Sequence, residues 1–378
     1  MNDLIDEHRG YVSDARRIEA FRRALAVSVR PGDRVLDLGA GTGILGLLAC
    51  QAGAGRVYAV DDGPILVLAR EIARGTAYAE RIVHLRGHSS WVDVPERVDV
   101  IVTDQVGHFG FEAGIAVDLP EARARWLEEG GRLIPQRLRL GITPAALPAV
   151  RAEVEFWTVP VAGIPMPAAS RVAGSTGHPH RVLKDALLGG GTPVCDLDLH
   201  TPVRSALKGD AAIDIERPGT FDAWVGWFSA ELAPGVLMTN DPASSDAILR
   251  RPLVLPVMPI DVLAGEQAEV SLSMHPRSGL LTWTTRLRDR FGAVRHTERR
   301  SSVDSLLASA ADVSRLSPAA TPTLTRVGLA RALVLARCDG AHTVAEIEQA
   351  VAAGFPDVFA DAEAASAFVA EVLSANGR

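Results

Sequence analysis

The strongest constraint on the fold is a glycine-rich segment, DLGAGTG at positions 37–43, that separates a strand-like run from a helix-like run. The preceding residues, RVLDL, are mostly apolar, and the following residues, ILGLLACQAGA, are typical of a buried helix. Glycines at alternate positions let the backbone turn tightly and let a ligand lie against bare main chain. The segment therefore predicts a strand–loop–helix unit with a ligand at the loop.

The same alternation continues along the first half of the chain. An amphipathic helix, DARRIEAFRRALA, comes first, and the glycine-rich segment is followed by strand RVYAVD, helix PILVLAREIARG, strands RIVHLRG and VDVIVTD, helix LPEARARWLEEGG and strand RLIPQRLRLGITPA. Strands that alternate with helices require crossover connections, so this half predicts a parallel, doubly wound α/β sheet.

The pattern changes after residue 145. Short β-rich runs such as TFDAWVGWFSAEL and GLLTWTTRLRD, separated by Gly, Pro and Asp, predict an antiparallel β-barrel at 146–304. The turn-rich stretch 166–207 predicts an inserted arm, and the Ala/Ser/Pro/Thr-rich stretch 305–320 predicts a linker. Three amphipathic helices, the second capped by Thr343, predict a small helical or winged-helix module at 321–378.

Composition excludes several classes of protein. With 378 residues, of which 47% are hydrophobic, the chain has enough apolar residues for several cores, and it has no apolar run that would span a membrane. The net charge of −7 argues against a general nucleic-acid binder.

The three cysteines are far apart and the N-terminal residues MNDLIDEHRG lack a signal pattern, so we expect a cytoplasmic protein. His178 and His180 have no acidic or cysteine partner at useful spacing, so no metal site is predicted.

The glycine pattern D-x-G-x-G-x-G resembles that of class I methyltransferases, which use S-adenosylmethionine. A carboxylate at the end of the second strand, Asp61, suits the two ribose hydroxyls of an adenosine, although Asp61 and Asp62 would also suit a helix cap. The residues predicted to bind the cofactor lie in the glycine loop and first helical turn, at the ends of three strands and on the first helix: Arg17, Asp37, Gly39, Ala40, Gly41, Gly43, Ile44, Leu45, Asp61, Asp62, Gly87, His88, Ser89, Ser90 and Asp104.

Over roughly residues 10–300 the chain resembles the protein arginine methyltransferases. The resemblance is carried by RVLDLGAGTGILGLLACQAGAGRVYAVD, RIVHLRGHSSWVDVPERVDVIVTDQVGHFGFE and WLEEGGRLIPQ. It implies a seven-stranded Rossmann-like domain at 1–145 that binds S-adenosylmethionine, a following β-barrel with an arm, and a homodimer. It also implies that Arg17 contacts the carboxylate of the cofactor's methionine, whereas a solvated helix face is the alternative for Arg16 and Arg17.

The substrate loop, TDQVGHFGFE at 103–112, departs from the family pattern. The family has two glutamates that hold a guanidinium; here Asp104 takes the first position and Glu112 can stand for the second in a loop one residue shorter. His108 stands where the family usually has an aromatic residue, Ser90 where it often has a glutamate, and the Thr-His-Trp motif expected within SSDAILRR is missing. Only Tyr11 remains of the aromatic motif that covers the cofactor.

These departures leave three hypotheses open. The first is a methyltransferase that acts on a nitrogen or oxygen of a specialised metabolite or ribosomally made peptide, with Asp104, His108 and Glu112 next to a possibly basic acceptor. His108 is then the general base, and its alternative role is packing in a glycine-flanked turn. The second is a methyltransferase of protein arginine or free arginine with a degenerate acidic loop, and the third is a non-catalytic, cofactor-binding scaffold. The segment CDGAHTVAEI resembles small winged-helix modules that bind leader peptides, and a packing or dimerisation cap is its alternative.

Overall fold

The structure is a computed structural model that describes residues 3–203, 205–307, 309, 314–315 and 317–376. The chain divides into two compact units, Met1–Leu306 and Leu307–Arg378. The predicted linker at 305–320 lies partly outside the described residues. The finer boundary expected at residue 145 falls inside the first unit and stays a prediction.

The first unit contains a parallel sheet with helices between its strands. Its strands, in the spatial order β3-β2-β1-β4-β5, are β1 (Arg34–Leu38), β2 (Arg56–Asp61), β3 (Ile82–Arg86), β4 (Val98–Thr103) and β5 (Leu127–Ile134). Its helices are α1 (Asp3–Val12), α2 (Ala15–Ser28), α3 (Ile44–Gln51), α4 (Ile65–Arg74) and α5 (Ile115–Trp126). The prediction of a parallel Rossmann-like sheet is confirmed, and the strand order reverses between β1 and β4, the position at which such sheets bind ligands.

Two details of this sheet differ from the sequence-based expectation. The described sheet has five strands, not seven, because the chain leaves it after β5 and its next strand pairs with an antiparallel sheet. The helix expected to continue to Gly131 ends at Trp126, since Leu127–Ile134 pairs in parallel with β4. Helix propensity at Glu128 and Glu129 therefore yields to strand pairing.

The rest of the first unit is built on two antiparallel sheets. One has the order β7-β12-β10-β6-β8 with β11 paired to β10, and the other has the order β15-β14-β13-β9. Their strands are β6 (Arg137–Ala145), β7 (His178–Pro179), β8 (Thr192–Asp198), β9 (Leu207–Asp214), β10 (Gly219–Ala233), β11 (Val236–Thr239), β12 (Leu253–Val262), β13 (Gln267–His275), β14 (Leu280–Arg288) and β15 (Val294–Ser301). The buried indole of Trp224 on β10 donates to Thr285 on β14 at 2.9 Å, so the two sheets share a core. The predicted antiparallel domain is thus present as two facing sheets.

The stretch 166–207 does not stand apart as an arm along its whole length. It contributes β8, which pairs with β6, and β7, which pairs with β12, because its residues complete the edges of the six-stranded sheet. The helices α6 (Pro148–Glu155) and α7 (Pro167–Gly174) flank a segment whose apolar side chains Phe156, Val159 and Ile164 are exposed. The described residues of the first unit also form 3-10 helices at Ala79–Arg81, Phe156–Thr158, Lys184–Ala186 and Ser302–Ser305.

Within 317–376, the described part of the second unit contains the three helices Arg326–Ala336, Val344–Gly354 and Ala362–Asn376. They pack around the buried residues Val334, Val351 and Val369. Thr343 caps the middle helix, as the sequence predicts, and the Glu346 side chain accepts from the Thr343 backbone in return. In the described range 317–376 the helices are joined by turns and coil, and no strand is present. Among the described residues of either unit, every helix is too short or too polar to cross a membrane.

Candidate active site

The glycine loop lies where β1 ends and α3 begins. Gly39, Gly41 and Gly43 have φ angles of +72°, +54° and +78°, a region that residues with a side chain rarely adopt. A Cβ on Gly39 would lie 2.8 Å from the Gln105 amide nitrogen, and one on Gly41 would lie 2.9 Å from the His8 ring. The loop is therefore bare main chain, as the sequence predicts, with Ala40 inside it and Ile44 and Leu45 in the first turn of α3.

Asp37 lies at the end of β1 and is fully buried. Its Oδ2 accepts a hydrogen bond from the Gly46 amide at 2.8 Å, whereas its Oδ1 has no partner among the described residues. Burial raises the pKa of the Asp37 carboxyl to about 7, and the nearby Asp61 carboxylate raises it further, against the hydrogen bond from Gly46. A buried carboxyl oxygen without a partner is a place where a ligand's donor would be bound favourably.

Asp61 lies at the end of the neighbouring strand β2. Its Oδ2 accepts from the Gly41 amide and its Oδ1 from the Gly63 amide, both at 2.8 Å. Asp61 thereby ties the glycine loop to β2, and each oxygen keeps a second lone pair for another donor. Asp62 is exposed and has no side-chain hydrogen bond in the described part of the chain. The structure thus distinguishes two aspartates that the sequence placed together in the cofactor site.

Arg17 and Asp104 meet beneath α1. Asp14 caps α2 through the Arg17 amide, and the Arg17 side chain crosses to the end of β4, where its Nε lies 2.5 Å from Asp104 Oδ2. Its Nη1 also donates to the Tyr11 carbonyl at 2.7 Å. Arg17 is buried, which excludes the solvated helix face as its location. The second oxygen of Asp104, Oδ1, is buried and has no partner among the described residues.

Arg250 is a second arginine on the same carboxylate, and the sequence analysis missed it. Its Nη2 lies 3.0 Å from Asp104 Oδ2, and only 11% of its side chain is exposed. The guanidinium groups of Arg17 and Arg250 both lie 5.6 Å from the centre of the Tyr11 ring. Arg250 lies in the segment where the Thr-His-Trp motif was expected. The absence of that motif was therefore the one signal in the sequence that a different residue reaches the site from this segment.

Glu112 folds back onto its own loop. Its Oε1 accepts from the amides of His108 and Phe109, the latter at 2.9 Å, and its Oε2 accepts from the Phe111 amide at 3.2 Å. A Cβ on Gly107 would overlap the Glu112 carboxyl, so a side chain at that position would displace the carboxyl from these amides. Through these contacts the Glu112 carboxylate stabilises the conformation of its own loop. The catalytic role expected of Glu112 from the sequence is still a prediction.

His108 is held in one orientation by groups from the antiparallel sheet. Its Nδ1 lies 2.7 Å from the Arg251 carbonyl, so Nδ1 carries a proton, and in the neutral ring Nε2 is the acceptor. The Asn240 side chain donates to the His108 carbonyl at 2.7 Å and accepts from the Phe228 amide at 2.8 Å. Asn240 was missed by the sequence analysis because it lies 132 residues further along the chain.

The residues expected near the adenine follow β3. The Gly87 amide donates to the Asp61 carbonyl at 3.0 Å, which holds this turn against the end of β2. His88 Nδ1 lies 2.8 Å from the Ser90 hydroxyl, and the Ser89 carbonyl accepts from Arg125.

The described residues contain no cluster of three or more groups that would hold a metal ion.

Comparisons with known proteins point to methyltransferases. A family model described as ribosomal protein L11 methyltransferase (PrmA) matches residues 20–135. A probable protein arginine N-methyltransferase 6 of Arabidopsis thaliana is 34% identical over 169 residues, which are 44% of this chain and 39% of that protein. Protein arginine N-methyltransferase 6 of Danio rerio is 32% identical over 40% of this chain and 44% of its own length. The chain thus spans about two fifths of the length of the curated relatives that it matches.

Solved structures extend the likeness over more of the chain. The Trypanosoma brucei PRMT1 enzyme–prozyme complex with AdoHcy superimposes with a TM-score of 0.69 at 21% identity, covering 78% of this chain and 97% of that one. Arabidopsis thaliana protein arginine methyltransferase 10 gives a TM-score of 0.68 at 20% identity, with coverages of 78% and 96%. The chain is therefore a protein of the class I methyltransferase fold that resembles the protein arginine methyltransferases.

Proposed function

We propose that this chain is an S-adenosylmethionine-dependent methyltransferase. The observation that carries the proposal is the edge of the parallel sheet, where a bare glycine loop lies between the unpaired buried oxygen of Asp37 and the carboxylate of Asp61. A nucleoside with two ribose hydroxyls and an amino-acid portion supplies the donors that these oxygens lack. The similarity to named methyltransferases supports the same reading.

The residues present fit this cofactor. Asp61 would hold the ribose hydroxyls, Asp37 would accept from the amino-acid portion, and Arg17 would face its carboxylate. When bound, S-adenosylmethionine supplies an activated methyl group. The chain's own task is then to orient an acceptor and take its proton, and His108 Nε2 is an acceptor in the loop that follows β4 that could take it.

The proposed acceptor is a nitrogen or oxygen of a specialised metabolite or a ribosomally made peptide. Glu112, one of the two acids expected to hold a guanidinium, is engaged by amides of its own loop. The C-terminal helical unit supports a peptide acceptor only through its resemblance to leader-binding modules. We further propose a cytoplasmic homodimer, for which the exposed apolar side chains at Phe156, Val159 and Ile164 provide a contact surface.

Calorimetric titration with S-adenosylhomocysteine tests the cofactor assignment. We expect micromolar binding by the wild-type protein and a loss of at least about tenfold in Asp61→Ala, which is about 1.4 kcal/mol. Glu80→Ala is the matched control, because Glu80 is exposed and precedes β3 at the opposite edge of the sheet. Absence of binding in the wild-type protein, or equal binding in Asp61→Ala, would reject the proposed cofactor site. A scaffold without catalysis would bind the cofactor and transfer no methyl group to any acceptor.

The second candidate function is methylation of protein arginine or free arginine. The names of the curated relatives and the pairing of Asp104 with guanidinium groups favour it. Incubation with methyl-labelled cofactor and an arginine-rich peptide separates the two candidates. Labelling of the peptide that is lost in Glu112→Gln would establish the second candidate and overturn the first.

A further inference from the structure

Arg250 reaches the candidate active site from the antiparallel half of the unit. Its Nη2 donates to Asp104 Oδ2 at 3.0 Å, and its Nη1 lies 3.3 Å from the Val106 carbonyl. The face of the Tyr11 ring lies 5.6 Å from its Cζ. A carboxylate, a backbone carbonyl and an aromatic ring together make a binding site for a guanidinium, and a residue of this chain already fills it.

The backbone around Arg250 is fixed to the start of α2. The Leu249 amide donates to Asp14 Oδ2 at 2.6 Å, and Arg16 Nη1 donates to the Ala247 carbonyl at 2.9 Å. Asp14 is itself buried and caps α2 with its other oxygen. Two hydrogen bonds from one helical turn therefore set where the Arg250 side chain begins.

The charge balance around Asp104 follows from this arrangement. One carboxylate with 9% side-chain exposure faces two guanidinium groups, those of Arg17 and Arg250. A cationic acceptor bound to the same carboxylate would add a third positive charge at a largely buried site. Alternatively, it would have to displace Arg250 from its contacts with Asp104, the Val106 carbonyl and the Tyr11 ring. The first route carries a large electrostatic penalty, because charges interact strongly where water is excluded, and the second loses the three contacts that Arg250 makes.

We propose that Arg250 is a specificity-determining residue whose guanidinium takes the place on Asp104 that a cationic acceptor would take. The acceptor then presents a neutral or anionic group at this position. The presence of an acceptor at this position rests on the proposed methyltransferase function, whereas the occupation of a guanidinium site by Arg250 does not.

Chemical complementation with methylguanidine tests the proposal. Arg250→Ala removes the resident guanidinium and leaves Asp104, the Val106 carbonyl and Tyr11 in place, so we expect it to bind methylguanidine at least about tenfold more tightly than the wild type does. Binding is measured by calorimetry and by the rise in melting temperature on addition of methylguanidine. Arg251→Ala is the matched control, since it removes the same charge from the next position, where the side chain is exposed. The double variant with Asp104→Asn should lose the gained binding.

The outcomes are distinct. Gained binding in Arg250→Ala that is absent from Arg251→Ala and from the double variant supports the proposal. Equal methylguanidine binding by the wild type and Arg250→Ala, or none by either folded protein, overturns it. If Arg250→Ala does not fold, Arg250→Gln, which keeps a polar but shorter side chain, is tested in its place with the same criteria. S-adenosylhomocysteine titrated into the same variants reports separately on the proposed function, so that its failure is not confused with failure of the inference.

Discussion

The buried carboxyl of Asp37 makes the stability of the first unit depend on pH in a direction that can be measured. Burial raises its pKa to about 7 in the folded protein, against about 3.9 for an aspartate in an unfolded chain. Between these values the folded state keeps the proton and the unfolded state has lost it. Protonated Asp37 therefore contributes stability that is fully present below about pH 4 and is lost as the pH rises through about 7.

Asp37→Asn isolates this contribution because it removes the titration and keeps the shape. The asparagine oxygen can still accept from the Gly46 amide, which Asp37 Oδ2 does at 2.8 Å. The pKa difference corresponds to about 4 kcal/mol at its limit, at about 1.4 kcal/mol per pH unit. Between about pH 5.5 and 8, the free energy of unfolding of the wild type should fall by about 2 kcal/mol relative to Asp37→Asn.

Urea unfolding followed by tryptophan fluorescence measures the effect. All six tryptophans lie in the first unit, so the signal reports on the unit that contains Asp37. Asp93→Asn, which removes one exposed carboxyl from the same unit, controls for the loss of a charge. A wild-type minus Asp37→Asn difference that stays constant across this pH range would refute the reasoning, because a carboxyl that ionises alike in both states cannot produce a slope.

Three further changes have clear expected outcomes. Gly110→Ala should lower the free energy of unfolding by about 2 kcal/mol or more in urea titrations, because Gly110 has φ of +97° and a Cβ there would lie 2.7 Å from Leu140. Thr343→Ala breaks the capping box with Glu346 and should cost about 1 kcal/mol of stability in the C-terminal unit, measured as earlier loss of helical circular dichroism. His108→Gln should leave the Kd for S-adenosylhomocysteine unchanged. With an identified acceptor substrate, the same variant should lower kcat by about 10²-fold or more.

The parts of the site that follow from local sequence were predictable. The glycine loop, Asp37 and Asp61 lie within one β-α-β unit, and parallel strands bring their carboxyl ends to one edge whatever the rest of the chain does. Arg17 and Asp104 were placed by resemblance, and the structure joins them in one ion pair. The roles assigned to these residues rest on the proposed function.

The parts that depend on distant pairing were not predictable from patterns. Arg250 lies 146 residues after Asp104, and no periodicity relates the two. The α1 helix, DLIDEHRGYV at 3–12, was also not among the elements predicted from the sequence. The end of α5 was misplaced since the pairing of Leu127–Ile134 with β4 outweighs the local preference of its glutamates for helix.

The net charge of the chain does not by itself describe the charge at its candidate site. A charge of −7, with Asp61, Asp104 and Glu112 near one cleft, suggests an acidic site suited to a basic acceptor. In the structure, backbone amides satisfy Asp61 and Glu112, and two guanidinium groups share Asp104. Hydrogen bonds to amides stabilise a carboxylate without cancelling its charge, whereas paired arginines reverse the sign of the charge at the position they occupy. In the proposed role of Arg250, this residue sets the electrostatic character of the acceptor region, and changing it should alter which charges the region admits.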